Sequence, residues 1–253
     1  MLAIERRNVI LSKLVMDGKV LVSDLAKEFE VTEETIRRDL EKLDQDGLVH
    51  KTYGGAVKTD NINLDLPFHV RKKTNVEAKQ KIASLIAREI DDGAYLMLDS
   101  STTALCVIKQ ILTKKNITII TNSIEILLEL CNKPEWNIIS TGGTLKEGGL
   151  ALVGYQAEKM LAGFHVDLAV CSCKGLDGEI GVTDSNERDA AIKNAMFHSA
   201  KRRILAVDST KFDRASFVRV SDFSSVDTVV TDEKPNEAWL NRFAEANVEI
   251  IYE

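Results

Sequence analysis

The chain has 253 residues, of which 44% are hydrophobic, and it carries a formal net charge of −6. This length allows a small module joined to a larger α/β domain, and the hydrophobic content suffices for a buried core. The negative charge argues against a generally basic nucleic-acid coat, although one local surface could still bind DNA.

The four cysteines are Cys106, Cys131, Cys171 and Cys173, and they form neither a C-x-x-C pair nor a cluster with zinc-ligand spacing. We therefore expect no metal site and no cofactor. The amino-terminal stretch is charged from Glu5 onwards, which is unlike a signal peptide, and no apolar run is long enough to span a membrane. These features favour a soluble cytoplasmic protein.

The segment from Thr32 to Gly47 predicts a helix with two different faces. The apolar residues that would pack inwards recur at helical spacing: Ile36, Leu40 and Leu43. Thr32 suits the N-cap position and Gly47 suits the residue after the last turn. Arg37 and Arg38 lie on the opposite half of the helix, with Thr35 at its edge. A solvated surface helix would explain these charges equally well if the segment stood alone.

The neighbouring elements change that interpretation. Residues 4–17 and 23–29 are predicted to form two further helices before the arginine-bearing one. Residues 48–52 and 56–57 are predicted as two strands, joined by a turn at residues 53–55. Three helices followed by a hairpin indicate a winged helix-turn-helix, in which the third helix enters the DNA major groove.

This arrangement assigns DNA contacts to the third helix and to the hairpin. Arg37 and Arg38 are candidates for reading base edges, because arginine commonly pairs with guanine. Lys51 and Tyr53 are candidates for phosphate contacts. The expected DNA-binding residues are Thr32, Thr35, Arg37, Arg38, Lys42, Lys51 and Tyr53. Residues 1–58 carry 10 basic and 11 acidic side chains, so one copy should bind weakly and we expect a homo-oligomer, a dimer or tetramer.

The same residues resemble a known family. The run from ERRNVILSKL through T-I-R-R-D-L to L-V-x-K-x-Y-G-G-A is similar, nearly without gaps, to the N-terminal domain of DeoR/GlpR-type bacterial transcriptional regulators. The resemblance extends more weakly over the rest of the chain. It implies a regulator and not an enzyme: a repressor of a carbohydrate-metabolism operon that binds an operator and responds to a phosphorylated sugar.

Residues 58–74 are predicted to link a DNA-binding domain, residues 1–57, to a sensing and oligomerisation domain, residues 75–253. The segment has no sustained hydrophobic period, and Pro67 opposes continuation of a helix. Phe68 is expected to dock onto one of the two domains.

From residue 75 onwards, short apolar strands alternate with helices. The predicted strands are residues 95–98, 117–120, 137–139, 167–170, 203–207, 228–230 and 248–251. The predicted helices include residues 76–91, 155–161, 186–201 and 236–247. This alternation predicts a doubly wound, mostly parallel α/β domain, which binds ligands beyond the carboxyl ends of its strands.

Polar residues and glycines follow these strands. Residues 99–103 open a helix directly after a strand and form a candidate anion site, although ordinary helix capping explains them equally well. Resemblance to the sensing domain of the same family, itself similar to ribose-5-phosphate isomerases, implies that this loop holds phosphate and that further residues line a sugar site. The expected effector-binding residues are Asp99, Ser100, Ser101, Thr102, Thr103, Thr121, Asn122, Ser123, Gly142, Gly143, Lys174, Glu187 and Lys193.

The alternative is a sugar-phosphate isomerase with an appended helical domain. Such an enzyme needs a carboxylate base near the substrate carbonyl. The isomerases carry a D-G-x-D turn where this chain has Cys171-Ser172-Cys173. Glu187 remains, but the resemblance then lacks its catalytic turn, which favours binding without turnover. The C-x-C pair permits a redox role, although small packing residues account for it as well.

Overall fold

The computed structural model describes residues 1–59, 66–146 and 148–253. These residues form two units, Met1–Thr74 and Asn75–Glu253, and each unit has a hydrophobic core of its own. No helix in the described part of the chain is long and apolar enough to cross a membrane.

The N-terminal unit combines short helices with a three-stranded antiparallel sheet. Its elements in chain order are α1 (Ala3–Asp17), β1 (Lys19–Leu21), α2 (Val22–Glu28), α3 (Glu33–Gln45), β2 (Val49–Thr52), β3 (Gly55–Lys58) and α4 (Phe68–Lys73). The strands lie in the order β1–β3–β2, so a strand between the first two helices joins the predicted hairpin. This is the winged helix-turn-helix that the sequence predicts.

Local chemistry explains where α3 begins and how the hairpin turns. Thr32 is the N-cap, and its hydroxyl accepts a hydrogen bond from the backbone N–H of Thr35 at 3.2 Å. The three predicted apolar residues of α3 are buried in the core of the unit. A Cβ at Gly55 would lie 2.1 Å from the carbonyl oxygen of Val20, so β3 can pair closely with β1 only because this residue is glycine.

Part of the predicted linker is helical. Residue 58 belongs to β3, and α4 begins immediately after Pro67, a position that requires no backbone N–H. Phe68 is almost fully buried, as expected, and Val70 packs into the core of the N-terminal unit. The proline therefore precedes a short helix, Phe68–Lys73, that was not predicted from the sequence. Residues 60–65 of the predicted linker lie outside the described residues.

The second unit alternates helices and strands. Its elements are α5 (Val76–Arg88), β4 (Tyr95–Leu98), α6 (Thr102–Ile111), β5 (Thr118–Thr121), α7 (Ile124–Leu130), β6 (Asn137–Ser140), β7 (Thr144–Lys146), β8 (Ala151–Val153), α8 (Tyr155–Leu161), β9 (Val166–Cys171), β10 (Gly175–Asp177), β11 (Gly181–Asp184), α9 (Glu187–His198), β12 (Ala200–Ala206), β13 (Val218–Ser221), β14 (Thr228–Val230), α10 (Glu237–Glu245) and β15 (Glu249–Ile251). The alternation agrees with the predicted α/β class.

A seven-stranded sheet in the order β15–β14–β12–β9–β4–β5–β6 forms the centre of this unit, and its described strand pairs are parallel. The chain runs outwards from β4 to β6 and then returns to β9 on the other side of β4. The strand order therefore reverses between β4 and β9, and a doubly wound sheet opens its ligand crevice at such a point. Crossovers between parallel strands are almost always right-handed, and with this strand order such crossovers put helices on both faces of a sheet.

Two small antiparallel sheets stand outside this pattern. One is the β7–β8 hairpin and the other has the order β10–β11–β13. These strands were not predicted, because each has only three or four residues and no clear alternation of apolar and polar side chains.

Candidate functional site

The outward face of α3 presents the two predicted arginines to solvent. Arg37 pairs with Glu33 at 2.6 Å and Arg38 pairs with Glu34 at 3.2 Å, each one helical turn earlier. The side chain of Arg38 is 81% exposed. Exposed ion pairs of this kind contribute little stability. Either arginine can therefore leave its glutamate and contact DNA at a small cost in free energy.

The hairpin brings further predicted residues next to α3. A cleft between them is lined by Val22, Arg37, Leu40, Lys51, Thr52, Tyr53, Gly54 and Gly55. Tyr53 is fully exposed at the turn, and the ammonium of Lys51 pairs with Glu41 on α3. The structure therefore gathers Arg37, Lys51 and Tyr53 on one surface.

The remaining predicted DNA contacts lie at the two ends of α3. The hydroxyls of Thr32 and Thr35 are 2.9 Å apart at its beginning. Lys42 pairs with Asp46 at 2.8 Å in its last turn. Thr32 thus has a capping role as well as a position from which it can contact a phosphate.

A buried ion pair that the sequence analysis missed fixes α3 to α1. Arg6 Nε donates to Asp39 Oδ2 at 2.5 Å, and the two side chains are only 9% and 6% exposed. Asp39 lies on the opposite side of α3 from the arginines, within the T-I-R-R-D-L motif. This pair fixes the rotation of α3 about its axis, and that rotation determines which residues face outwards.

In the second unit, Asp99 connects the ends of β4 and β9 at the point where the strand order reverses. Its carboxylate accepts hydrogen bonds from the backbone N–H of Ser101 and of Ser172, both at 3.0 Å. The carboxylate is almost completely buried. Burial raises the pKa of Asp99 above its usual value, although Lys193 and the hydrogen-bond donors act against this shift.

Lys193 of α9 brings a buried positive charge to the same place. Its ammonium pairs with Asp184 at the end of β11 and lies 3.7 Å from Asp99. Burial alone would lower the pKa of Lys193, but the neighbouring carboxylates outweigh burial and raise it. At Asp184, burial is likewise outweighed, chiefly by Lys193, and the pKa is lowered. Lys193 is therefore held as a cation between two carboxylates.

A second ion pair ties the β7–β8 hairpin to the start of α9. Lys146 Nζ lies 2.5 Å from Asp189 Oδ2, and the same carboxylate oxygen accepts a hydrogen bond from Asn186 at 2.8 Å. Neither this pair nor Asp184 was among the predicted site residues. Two features of the sequence could have indicated these residues: Asp184 is a carboxylate at the end of a short strand, and Asp189 is a carboxylate in the first turn of a helix.

The predicted loop 121–123 packs against β8 of the hairpin. The hydroxyl of Thr121 donates to the carbonyl of Leu98 at 2.7 Å, which ties the end of β5 to β4. Asn122 Nδ2 donates to the carbonyl of Leu152 at 3.0 Å, whereas its buried Oδ1 has no hydrogen-bond partner among the described residues. An unpaired buried acceptor is costly, and it is a natural contact for a ligand hydroxyl.

Gly143 allows the residues before β7 to lie close to the end of β8. Its φ is +103°, and a Cβ there would lie 2.7 Å from the carbonyl oxygen of Val153. Only glycine fits at position 143, whereas a Cβ at Gly142 would meet nothing within 4 Å.

The other predicted effector residues divide into buried and exposed groups. Ser101 caps α6 by accepting from the N–H of Ala104 at 3.0 Å, and Thr102 and Thr103 are buried in its first turn. Ser100 and Lys174 are partly exposed at the strand ends. Glu187 is exposed at the first residue of α9, whereas the carboxylates of Asp99 and Asp184 at this edge are buried.

Cys171 and Cys173 are buried where β9 ends. Burial raises the pKa of the Cys173 thiol to about 12 and raises that of Cys171 well above its usual value. Both residues therefore remain thiols at neutral pH, which supports packing over redox chemistry. The described residues contain no group of three or more His, Cys, Asp or Glu side chains arranged to hold a metal ion.

Family models match most of the chain. Residues 6–61 match the DeoR-like helix-turn-helix domain, and residues 74–233 match the DeoR C terminal sensor domain. The HTH-type transcriptional regulator YulB of Bacillus subtilis, itself uncharacterized, is 37% identical over 99% of this chain and 96% of its own length. The L-fucose operon activator of Haemophilus influenzae is 34% identical over 90% of this chain and 91% of its own length.

Another relative is the glycerol-3-phosphate regulon repressor of Escherichia coli, which is 30% identical over 91% of each chain. Among solved structures, ribose 5-phosphate isomerase A of Methanocaldococcus jannaschii covers 55% of each chain at 15% identity, with a TM-score of 0.41, a similarity too low to transfer an activity. From the two domain matches and these full-length relatives, the chain belongs to the DeoR family of DNA-binding transcriptional regulators.

Proposed function

We propose that this regulator represses a carbohydrate-metabolism operon, and that a phosphorylated sugar or a related metabolite changes its affinity for the operator. The proposal rests on the arrangement where the strand order reverses, between β4 and β9. There the start of α6, the hydroxyl-rich loop after β5 and the buried Lys193 lie at one edge of the sheet. Helix N-termini and hydroxyls bind phosphate, and a buried amide oxygen such as that of Asn122 accepts a sugar hydroxyl.

The names of two relatives support this class of effector. One is an activator of an L-fucose operon and the other a repressor of a glycerol-3-phosphate regulon. We assign repression to this chain as part of the proposal. We infer a cytoplasmic location, because a protein that binds an operator has to reach the chromosome. We also infer two or more copies on a symmetric site, because one N-terminal unit attracts DNA only weakly.

The contacts of the carboxylates support binding without turnover. An aldose–ketose isomerase needs a carboxylate that is free to move a proton between adjacent carbons. Asp184 is paired with Lys193, and Asp99 accepts two backbone N–H groups, so both are engaged in holding the strand ends. An assay with aldose and ketose phosphates tests the alternative: turnover that is abolished by Glu187→Gln would favour the isomerase.

An anisotropy titration tests the regulator directly. An operator is first selected from random duplexes, and its affinity is then measured with and without sugar phosphates. We expect a change of about 5–150-fold with one phosphorylated sugar and none with its unphosphorylated form. A protein that prefers no DNA sequence, with or without phosphosugars, would refute the proposal.

A variant at the start of α6 tests the phosphate assignment. Thr102→Glu adds a negative charge where the phosphate is expected, so it should abolish the effector response while operator binding persists. Thr113→Glu introduces the same side chain at an exposed residue beyond the other end of α6 and should leave the response intact. Because Thr102 is buried, Ser100→Glu at the partly exposed neighbour serves as a second test. An unchanged effector titration in both loop variants would remove the assignment.

A further inference from the structure

The junction between the two units passes directly from one anchored residue to another. Thr74 ends α4, where its hydroxyl donates to the carbonyl of Val70 at 3.0 Å. The next residue, Asn75, begins the second unit, and its side-chain amide donates to Asp208 Oδ1 at 3.1 Å and to Thr210 Oγ1 at 3.3 Å. The first residue of the second unit is therefore tied to a loop 133 residues further along the chain.

That loop follows β12 at the carboxyl edge of the large sheet. Asp208 is buried, and its Oδ1 also accepts from the backbone N–H of Thr210 at 3.2 Å. In the sheet, β12 adjoins β9, which in turn adjoins β4. Two strand spacings separate β12 from β4, so the loop lies about 10 Å from residues 99–103 along the sheet edge. Asp208 also acts electrostatically on Cys173, in the segment that follows β9.

Asn75 has a left-handed backbone conformation at the position from which it contacts Asp208 and Thr210. Its φ is +49°, in the left-handed region, which asparagine tolerates better than most residues. Its carbonyl accepts the N–H of Lys79 and so starts α5, although its side chain does not cap the helix. The amide is therefore left to hold the β12 loop instead of the helix that it begins.

We propose that Asn75 is a positioning residue that transmits effector occupancy at the sheet edge to the DNA-binding unit through Asp208 and Thr210. This inference rests on the proposed function. A ligand can shift the protein only through contacts that differ between two states. A change in the loops at the effector edge alters the bonds of Asn75, and the covalent bond from Asn75 to Thr74 carries that change to α4.

Asn75→Gly tests the proposal because glycine keeps the left-handed backbone and removes only the side-chain hydrogen bonds. Asn247→Gly is the matched control, since Asn247 is exposed, has a φ of +55° and follows α10. The probes are ribose 5-phosphate, glucose 6-phosphate, fructose 1-phosphate and glycerol 3-phosphate. The measured quantity is the ratio of operator Kd with and without the probe that acts on the wild type.

We expect Asn75→Gly to reduce this ratio at least about threefold, while operator affinity without effector and effector affinity without DNA stay within about twofold. Asn247→Gly should retain the wild-type ratio. Asn75→Asp alone should also lose the response, because its carboxylate would face Asp208. The exchanged pair Asn75→Asp with Asp208→Asn restores a donor and an acceptor, so it should recover the response.

The outcomes separate this inference from the proposed function. If the wild type responds and Asn75→Gly responds equally, the role of Asn75 is refuted while the regulator stands. Equal loss in Asn247→Gly, or no recovery in the exchanged pair, also refutes it, because a general effect on stability would then explain the result. A wild type whose operator affinity responds to none of the four probes overturns both.

Discussion

Replacing Asp39 by alanine would leave the guanidinium of Arg6 buried without its carboxylate. The two side chains are 9% and 6% exposed, so little water can take over from the lost partner. Removing one member of such a pair costs about 3–5 kcal/mol. A unit of the size of Met1–Thr74 is stable by about 4–11 kcal/mol. We therefore expect the variant to lose between about a quarter and all of that stability.

Urea unfolding can assign the loss to the N-terminal unit. Both tryptophans, Trp136 and Trp239, belong to the second unit, so their fluorescence follows that unit alone. Far-ultraviolet circular dichroism follows the helices of both units. Asp39→Ala should shift part of the dichroism transition to lower urea and leave the fluorescence transition unchanged.

Two further variants make the measurement decisive. Asp46→Ala removes an exposed pair with Lys42 and should cost less than about 0.5 kcal/mol. The double variant Arg6→Met with Asp39→Leu replaces the pair by apolar side chains, and it should be at least as stable as the wild type to within about 1 kcal/mol. A loss for Asp39→Ala as small as that for Asp46→Ala would refute the argument from desolvation.

Three more predictions follow from the operator surface, the glycine turn and the buried lysine. Arg38→Ala should cost about 1–3 kcal/mol of operator affinity and relax one base position, whereas Lys51→Ala should weaken binding to all sequences about equally. Anisotropy titrations with single-base operator variants check both, and two variants with full selectivity would contradict the docking. Gly143→Ala should destabilise the second unit by about 1–3 kcal/mol more than Gly142→Ala, because only its Cβ meets a backbone oxygen. Tryptophan-detected urea unfolding measures the difference, and equal losses would contradict the clash. In Lys193→Met the pKa values of Asp99 and Asp184 should rise, because the neighbouring cation is lost. The folded protein would then keep protons that the unfolded chain releases. Its free energy of unfolding relative to the wild type should then fall as the pH rises from about 4 to 7, and a flat difference would exclude the effect.

The N-terminal unit shows how much a local pattern can predict. Apolar spacing, the cap at Thr32 and the position of Gly47 are properties of consecutive residues, and they placed α3 within a residue or two of its bounds. The same pattern identified Arg37 and Arg38 as outward-facing. It could not show which polar residue of α3 faces inwards to meet a charge, because Asp39 finds Arg6 across 33 residues of sequence.

In the second unit, the alternation of strands and helices was sufficient to predict the class of fold and the edge at which the polar loops gather. The helix at residues 155–161 was predicted with its observed bounds. Periodicity carries no information about strand order, however, so the reversal between β4 and β9 appeared only in the folded sheet. The short strands β7, β10 and β11 were missed because pairing stabilises them and their own sequence does not.

The sequence by itself determined the elements, their solvent-facing residues and the loops that carry polar groups, since these depend on neighbours within one or two turns of chain. Only the tertiary structure decided which charges meet. Lys193 pairs with Asp184 and lies beside Asp99, and Asn75 donates to Asp208, because the order of strands in the sheet brings distant loops to one edge.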